Sequence, residues 1–277
     1  MLPGGPQLGG APANVAFHAR ALGADAALIS CVGRDPLGSE IIARLSRAGV
    51  GTSALAIDPS RPTGTVAVVI GQGGEPHYTI AEEVAWDYIP GSSAAFALAR
   101  SADALCYGTL AQRAAGSRAT IRACIEEARV ECLRVFDVNL RDPFVDRACV
   151  EETLARSHVL KLNEAELRRI AGWFDLRGSE TAILEALVAR YALRLVALTR
   201  GERGSRLYGG TGDSTHPGIR AAVVDTVGAG DAFTAAVIRG LLDGRPLDDI
   251  NAEANRVASR VCSHAGAAPP RFEARPV

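Results

Sequence analysis

The feature that most limits how this chain can fold is an alternation, kept up over most of its length, of short apolar runs with longer stretches of helical period. Runs at Ala26–Val32, Ala104–Tyr107, Leu133–Val138, His158–Leu160 and Leu195–Thr199 read as strands. Between them, Ala11–Leu22, Leu37–Ala48, Ala114–Arg129, Asn163–Ala171 and Thr181–Tyr191 read as helices, and Ala229–Leu242 and Leu247–His264 follow near the end. In the first helix Val15, Ala19 and Leu22 recur at spacings of four and three, which lines them up on one core-facing stripe. Strands joined by helix-length crossovers run parallel and are covered by helices on both faces. The pattern predicts an α/β fold: three layers, α-β-α, around a mostly parallel sheet.

The segment Gly51–Tyr88 breaks this rhythm. Thr65–Ile70 is β-branched and alternating, Gly71-Gln-Gly-Gly supplies turn residues, and His77–Ile80 returns as a second strand. It reads as a hairpin-rich insertion, expected to act as a lid over one end of the sheet. No repeat, low-complexity tract or linker divides the rest, so residues 1–277 are expected to form a single domain with a β-rich appendage within about 51–88.

Several function classes are excluded. Thirty basic residues face 31 acidic ones, without the basic excess of a general nucleic-acid binder. No apolar run approaches the ~18 residues of a membrane helix, and Met1-Leu-Pro-Gly-Gly lacks the basic start and apolar run of a secretory signal. Six scattered cysteines without Cys-x-x-Cys spacing read as reduced thiols. A cytoplasmic enzyme is the expectation, with neither nucleic acid nor membrane as partner. Lys161 is the only lysine among the 30 basic residues. There is accordingly no Gly-x-x-x-x-Gly-Lys loop and no protein-kinase Val-Ala-Ile-Lys strand, and His-Glu-x-x-His and Gly-x-Ser-x-Gly are missing too.

The chemistry-bearing stretch is Val223-Val-Asp-Thr-Val-Gly-Ala-Gly-Asp-Ala-Phe-Thr. A β-like run ends at Val224, a glycine-rich turn follows, and a helix opens near Gly230. Glycine lets the backbone approach a ligand, and the first amides of a helix are unpaired donors in a positive field, suited to a phosphoryl group. Asp231, beside them, is placed to take a proton from an attacking hydroxyl. The same residues also fit a plain tight turn in which Asp231 offsets the helix dipole.

Upstream, Gly9-Gly-Ala-Pro-Ala-Asn14 opens the first helix, and the strand after it leads to Val32-Gly-Arg-Asp-Pro-Leu-Gly. Together with the Asp225-Thr-Val-Gly-Ala-Gly-Asp231 turn, these resemble the two signature regions of the PfkB (ribokinase-like) carbohydrate kinases. Asp137-Val-Asn-Leu-Arg141 and Gly108-Thr-Leu-Ala resemble its fructokinase-like branch, and Asn163-Glu-Ala-Glu166 its Asn-x-x-Glu motif. The resemblance covers about Gly9 to Gly266. It implies a ribokinase-like fold with a small β lid, and ATP-dependent phosphorylation of a hydroxyl on a small, fructose-like sugar or sugar acid. Asp231 would be the base, and the amides of Gly228, Ala229 and Gly230 would hold the phosphoryl charge. Gly9, Gly10, Asn14 and Arg141 would contact the substrate. Asn163, Thr199, Gly201, Gly204 and Asn255 would line the nucleotide site, and Glu166 would place magnesium indirectly. Asp225 and Val227 would sit where relatives bind a monovalent cation such as K⁺. The lid of such proteins also serves as a homodimer contact.

The residues keep their ordinary readings. Asn14 is also suited to a bond within its first turn, Asp137 and Asn139 to strand-end caps, Arg141 and Glu166 to plain surface. The five histidines show no ligand spacing. One departure stands out. The family pattern begins with a strand ending in Gly-Glu-x-x-x-Asp, whose aspartate binds sugar hydroxyls, yet only eight residues precede Gly9 and none is acidic. This predicts two sheet strands without ladder partners and weakened sugar affinity, through either a truncated sequence or a shortened member. It also keeps open an alternative, a catalytically impaired or dead binding protein of the same fold. A Rossmann oxidoreductase would need an amino-terminal Gly-x-Gly-x-x-Gly, which is absent.

Overall fold

Each β-run of the middle third is bounded by a helix that returns the chain to the start of the sheet, and the structure follows that rhythm. It is a computed structural model, and it describes residues 9–70 and 76–268. The helices are α1 (Ala11–Ala21), α2 (Pro36–Arg47), α3 (Ser93–Ser101), α4 (Ala115–Glu127), α5 (Arg147–Leu154), α6 (Glu164–Trp173), α7 (Glu180–Tyr191), α8 (Ala229–Leu242) and α9 (Leu247–Cys262). The strands are β1 (Ser30–Gly33), β2 (Leu55–Asp58), β3 (Val66–Ile70), β4 (Pro76–Ile80), β5 (Ala104–Tyr107), β6 (Leu133–Asp137), β7 (Val159–Asn163), β8 (Leu195–Thr199), β9 (Ser205–Gly209) and β10 (Gly212–His216).

A six-stranded sheet runs in the order β10-β9-β8-β7-β6-β5. Its strands β5 to β8 run parallel, and β9 and β10 add an antiparallel edge. Alternation along the strands sends side chains to two cores. Val135, Leu195 and Ala197 pack with Phe233, Ala236 and Ile250 of α8 and α9, while Phe136, Leu160, Val196 and Leu198 pack with Ile170, Leu184 and Leu187 of α6 and α7. The period of two therefore turns Asp137, at the end of β6, and its register partner Lys161, in the middle of β7, toward the α8 layer. Both polar groups lie at the carboxyl edge of the parallel strands, where open α/β sheets bind ligands.

β1 and β2 form a separate parallel pair, and among the described residues β1 and β5 are both edge strands. Ile29, just before β1, and Leu105 of β5 pack on one cluster with Ala95, Ala99 and Cys124, yet they share no ladder. The expected hairpin is present as β3 against β4, from Val66 opposite Ile80 to Ile70 opposite Pro76. Its turn residues, 71–74, lie outside the described residues. Residues 55–58, assigned from sequence to the same insertion, instead pair with β1. After the hairpin, Arg113 is clamped between the rings of Trp86 and Phe144, and its Nε and Nη2 donate to Asp87 at 2.7 and 2.8 Å. That pair is almost wholly buried and ties the base of the hairpin to the loop after β6.

Two sequence expectations need correction. The β-like run ending at Val224 is no strand: Val223 and Val224 are each 64% exposed, and the Val224 amide bonds the Cys262 carbonyl. β-Branched composition marks propensity, and without a neighbouring strand it forms no ladder. The first strand is also shorter than Ala26–Val32, with only an isolated bridge from Ala27 to Gly51 before β1. Among the described residues no helix is long and apolar enough to cross a membrane.

Candidate active site

The amino terminus of α8 is built by Gly228. It stands at φ +82° as the helix cap, and a Cβ there would lie 2.6 Å from the Cβ of Ala267, so no larger residue fits without displacing the neighbouring segment. The first intrahelical bond runs from the Ala232 amide to the Gly228 carbonyl at 2.9 Å. The amides of Gly230 and Asp231 precede it and carry the positive end of the helix field. An anion brought to this turn meets donors that need no reorganisation.

Asp231 is 9% exposed, and its Oδ2 accepts from Nδ2 of Asn14 at 2.7 Å. Burial, and then repulsion from Asp137, pushes the Asp231 carboxyl up to about 6, against the opposing pull of Asn14, Lys161 and Arg141. Asn14 itself sits in the first turn of α1, which Gly10 opens at φ +101°. The buried Oδ1 of Asn14 has no hydrogen-bond partner among the described residues. Among the described residues the space around Gly9 and Gly10 is open, for a Cβ on either would meet nothing within 4 Å. Asn14 is therefore turned toward Asp231, and neither end of its amide bonds within its own helix turn.

Beneath the turn lies a second polar layer. Asp137, 3% exposed, accepts from Nζ of Lys161 at 3.0 Å and from Oγ1 of Thr234 at 2.8 Å. The Thr234 hydroxyl is also 2.9 Å from the Gly230 carbonyl, so this layer supports the turn directly. Burial works to lower the Lys161 pKa, but attraction by Asp137, Glu166 and Asp231 outweighs it and holds the ammonium above its usual value.

Glu166 and Asn163 form a reciprocal cap on α6. Asn163 Oδ1 accepts from the Glu166 amide at 3.0 Å, and Glu166 Oε2 accepts from the Asn163 amide at 2.8 Å. The other oxygen of Glu166 accepts from the Leu140 amide at 2.9 Å, which fixes the loop carrying Arg141. That loop passes through Asn139 at φ +42°, a conformation asparagine tolerates better than most residues. Arg141 is exposed, bonds the Leu140 carbonyl at 2.9 Å, and acts on Asp231 through its charge.

The remaining candidates lie around β8 and α9. Thr199 ends β8, with Oγ1 3.4 Å from the Leu162 carbonyl. Gly201 and Gly204 take positive φ, and a Cβ on Gly204 would strike the His216 carbonyl at 2.0 Å, so close backbone packing alone requires glycine there. Asn255 belongs to a buried amide network, donating to Ser205 Oγ at 2.7 Å and to the Asn251 carbonyl at 2.8 Å. Asp225 accepts from the amides of Val227 and Gly266, both at 3.0 Å, and so braces the turn before α8. Among the described residues no group of three or more His, Cys, Asp or Glu side chains forms a metal cage.

At the level of sequence Lys161 served only to exclude other kinase and nucleotide-binding folds, and Thr234 was passed over. Thr234 carries no signal beyond its spacing of four from Gly230. Lys161 does: one lysine among 30 basic residues is a compositional anomaly, and it stands two positions before Asn163.

Comparison with known proteins shows what the chain as a whole is similar to. The family model described as pfkB family carbohydrate kinase matches residues 6–274. An uncharacterized sugar kinase of Pyrococcus horikoshii is 30% identical over 247 residues, covering 87% of this chain and 75% of that protein. The fructokinase of Salmonella typhimurium is 33% identical over 268 residues, 92% of this chain and 83% of the relative. Among solved structures, the Pyrococcus protein superposes with a TM-score of 0.83 over 96% of this chain and 86% of its own, and it has also been solved in complex with ATP. Fructokinase from Vibrio cholerae, solved with fructose, ADP and calcium, gives a TM-score of 0.81 at 25% identity, over 95% of this chain and 87% of that one.

Proposed function

The chain belongs to the pfkB family of carbohydrate kinases, and from that premise we propose that it transfers the γ-phosphoryl group of ATP to a hydroxyl of a fructose-like sugar, with Asp231 as the general base. The observation that carries this reading is the meeting of a buried carboxylate, raised to about 6, with the free amides of a helix amino terminus. A base with a pKa just below neutrality is ionised at working pH yet still basic enough to accept a hydroxyl proton. The unpaired Oδ1 of Asn14 would accept from a second sugar hydroxyl, and the open Gly9–Gly10 turn would admit the ring.

In the reaction the sugar oxygen forms a bond to Pγ while its proton passes to Asp231. The bond from Pγ to the bridging oxygen breaks, and its electron pair leaves with ADP. The amides of Gly230 and Asp231 would stabilise charge on the transferring oxygens, a role worth about 3–4 kcal/mol per donor in comparable sites. Magnesium, when bound, would neutralise nucleotide phosphate charge. With no carboxylate cage among the described residues, phosphate oxygens and water would hold it, and Glu166 would act through water. Asp225 and the Val227 carbonyl remain the proposed monovalent-cation position.

The test is a coupled ADP-release assay over a panel of ketoses, aldoses and sugar acids. Turnover on fructose above every other sugar supports the reading, and turnover confined to aldoses or sugar acids refutes the fructose assignment.

A further inference from the structure

Twenty-nine of the thirty basic residues are arginine, and the one lysine is at the centre of the site. The side chain of Lys161 is nine-tenths buried. An ammonium has three N–H donors, and among the described residues Nζ has a single hydrogen-bond partner, Oδ1 of Asp137 at 3.0 Å. Burying a cation with donors unpaired is costly unless another acceptor arrives. The turn above shows where that acceptor would stand. A Cβ built on Gly230 would lie 3.0 Å from Nζ, so the ammonium sits directly beneath the backbone of the anion-binding turn.

The charge pattern points the same way. Three carboxylates, Asp137, Glu166 and Asp231, act on Lys161. A phosphoryl group entering among them would meet net negative charge that the lysine reduces. The compactness of the ammonium also matters. Its tetrahedral donors can serve Asp137 and an incoming oxygen together, whereas the planar fork of an arginine would have to pass the Gly230 backbone.

We propose that Lys161 is a catalytic residue whose ammonium, anchored by Asp137, contacts an oxygen of the phosphoryl group as it passes from ATP to the sugar. This rests on the phosphotransfer reading above. The lysine neither gains nor loses a proton in the step: the sugar proton goes to Asp231, the Pγ–O bond to the sugar forms, and the bond to ADP breaks. The ammonium only stabilises charge on the non-bridging oxygens, together with the Gly230 and Asp231 amides.

The variants are Lys161→Met and the double variant Lys161→Met with Asp137→Asn, in which the whole buried ion pair is neutralised. Lys161→Met should lower kcat about 10²-fold or more, as for removal of an oxyanion donor, with the Kd for ATP within about fivefold of wild type. The double variant should regain the melting temperature that the single variant loses, but not the turnover. If Lys161 merely neutralises Asp137, the double variant will regain turnover as well, and the proposal is overturned. It is equally overturned if Lys161→Met keeps more than a tenth of the wild-type kcat. A third readout needs neither variant nor turnover. [15N]Lysine labelling of the wild-type protein gives a single side-chain Nζ resonance, which should move on adding ADP, magnesium and aluminium fluoride with fructose. An unmoved resonance under saturating ADP rejects the contact. A wild-type protein that moves this resonance yet phosphorylates no sugar rejects the acceptor assignment and leaves the lysine–phosphoryl contact standing.

Discussion

Asn14 and Asp231 are 217 residues apart in the chain and joined by a 2.7 Å hydrogen bond, the amide of Asn14 donating to the carboxylate of Asp231. The bond links the first turns of α1 and α8, and so brings the double-glycine end of one helix to the proposed phosphate-binding end of the other. It also favours the ionised form of Asp231. One contact thus joins the proposed sugar side of the site to the proposed base.

Asp231→Asn should lower kcat by roughly 10²–10⁴-fold, because a carboxamide cannot accept the proton, while ATP affinity stays within a few-fold. Steady-state kinetics beside calorimetric ATP titration checks this, and a residual turnover above a tenth of wild type rejects the base assignment.

The same substitution should stabilise the protein at neutral pH. Asp231 ionises near 3.8 when unfolded and near 6 when folded, so between those values the unfolded chain binds fewer protons and stability falls as pH rises. Above about pH 6 the cost is complete, on the order of 2–3 kcal/mol. Melting curves of both proteins should diverge between pH 4 and 7, with the variant higher at the alkaline end, and parallel curves would contradict the raised pKa.

Wild-type kcat should rise with pH through about 6 as Asp231 deprotonates. Asn14→Ala removes a donor that favours the carboxylate, so the acid limb should move to higher pH and the KM for sugar should increase. A profile that keeps its midpoint would show that the contact does not tune the base.

Gly228→Ala should destabilise the fold by about 1–2 kcal/mol. The added methyl would meet Ala267 at 2.6 Å, and φ +82° is unfavourable for alanine. Denaturant unfolding measures the loss, and a variant of wild-type stability would mean that the 267 segment yields freely.

Glu166→Ala should cost stability and turnover together, since it removes the acceptor for the amides of both Asn163 and Leu140. Two charge-assisted bonds give an expected loss of about 2–4 kcal/mol. Glu166→Gln, which keeps one good acceptor, should fall between. A full melting temperature in Glu166→Ala would assign the residue to ligand contact alone.

How far the sequence reaches is clearest at particular elements. The helix Ala229–Leu242 and the strands Ala104–Tyr107 and Leu195–Thr199 occupy the residues that periodicity assigns to them. Their signals are local: a stripe on one face, an alternating run, a glycine at the cap. The short helices at Ser93–Ser101 and Arg147–Leu154 have too few turns for a stripe, and the β9–β10 edge depends on pairing with β8. The run before Val224 had β composition and no neighbour to pair with. At the site, the glycine turn, Asp231 and Asn14 were legible because their chemistry lies in one or two short motifs. That Asn14 reaches Asp231, and that Lys161 lies under Gly230, was not. Those relations depend on how α1, α8 and β7 pack, and hydrogen bonds between residues so distant in the chain arise only once hydrophobic burial has placed their helices and strands. The sequence by itself determined the layers, the helix whose amino terminus could hold an anion, and the chemical types at the site. Tertiary packing decided which carboxylate is buried and raised, which is paired, and where the single lysine stands.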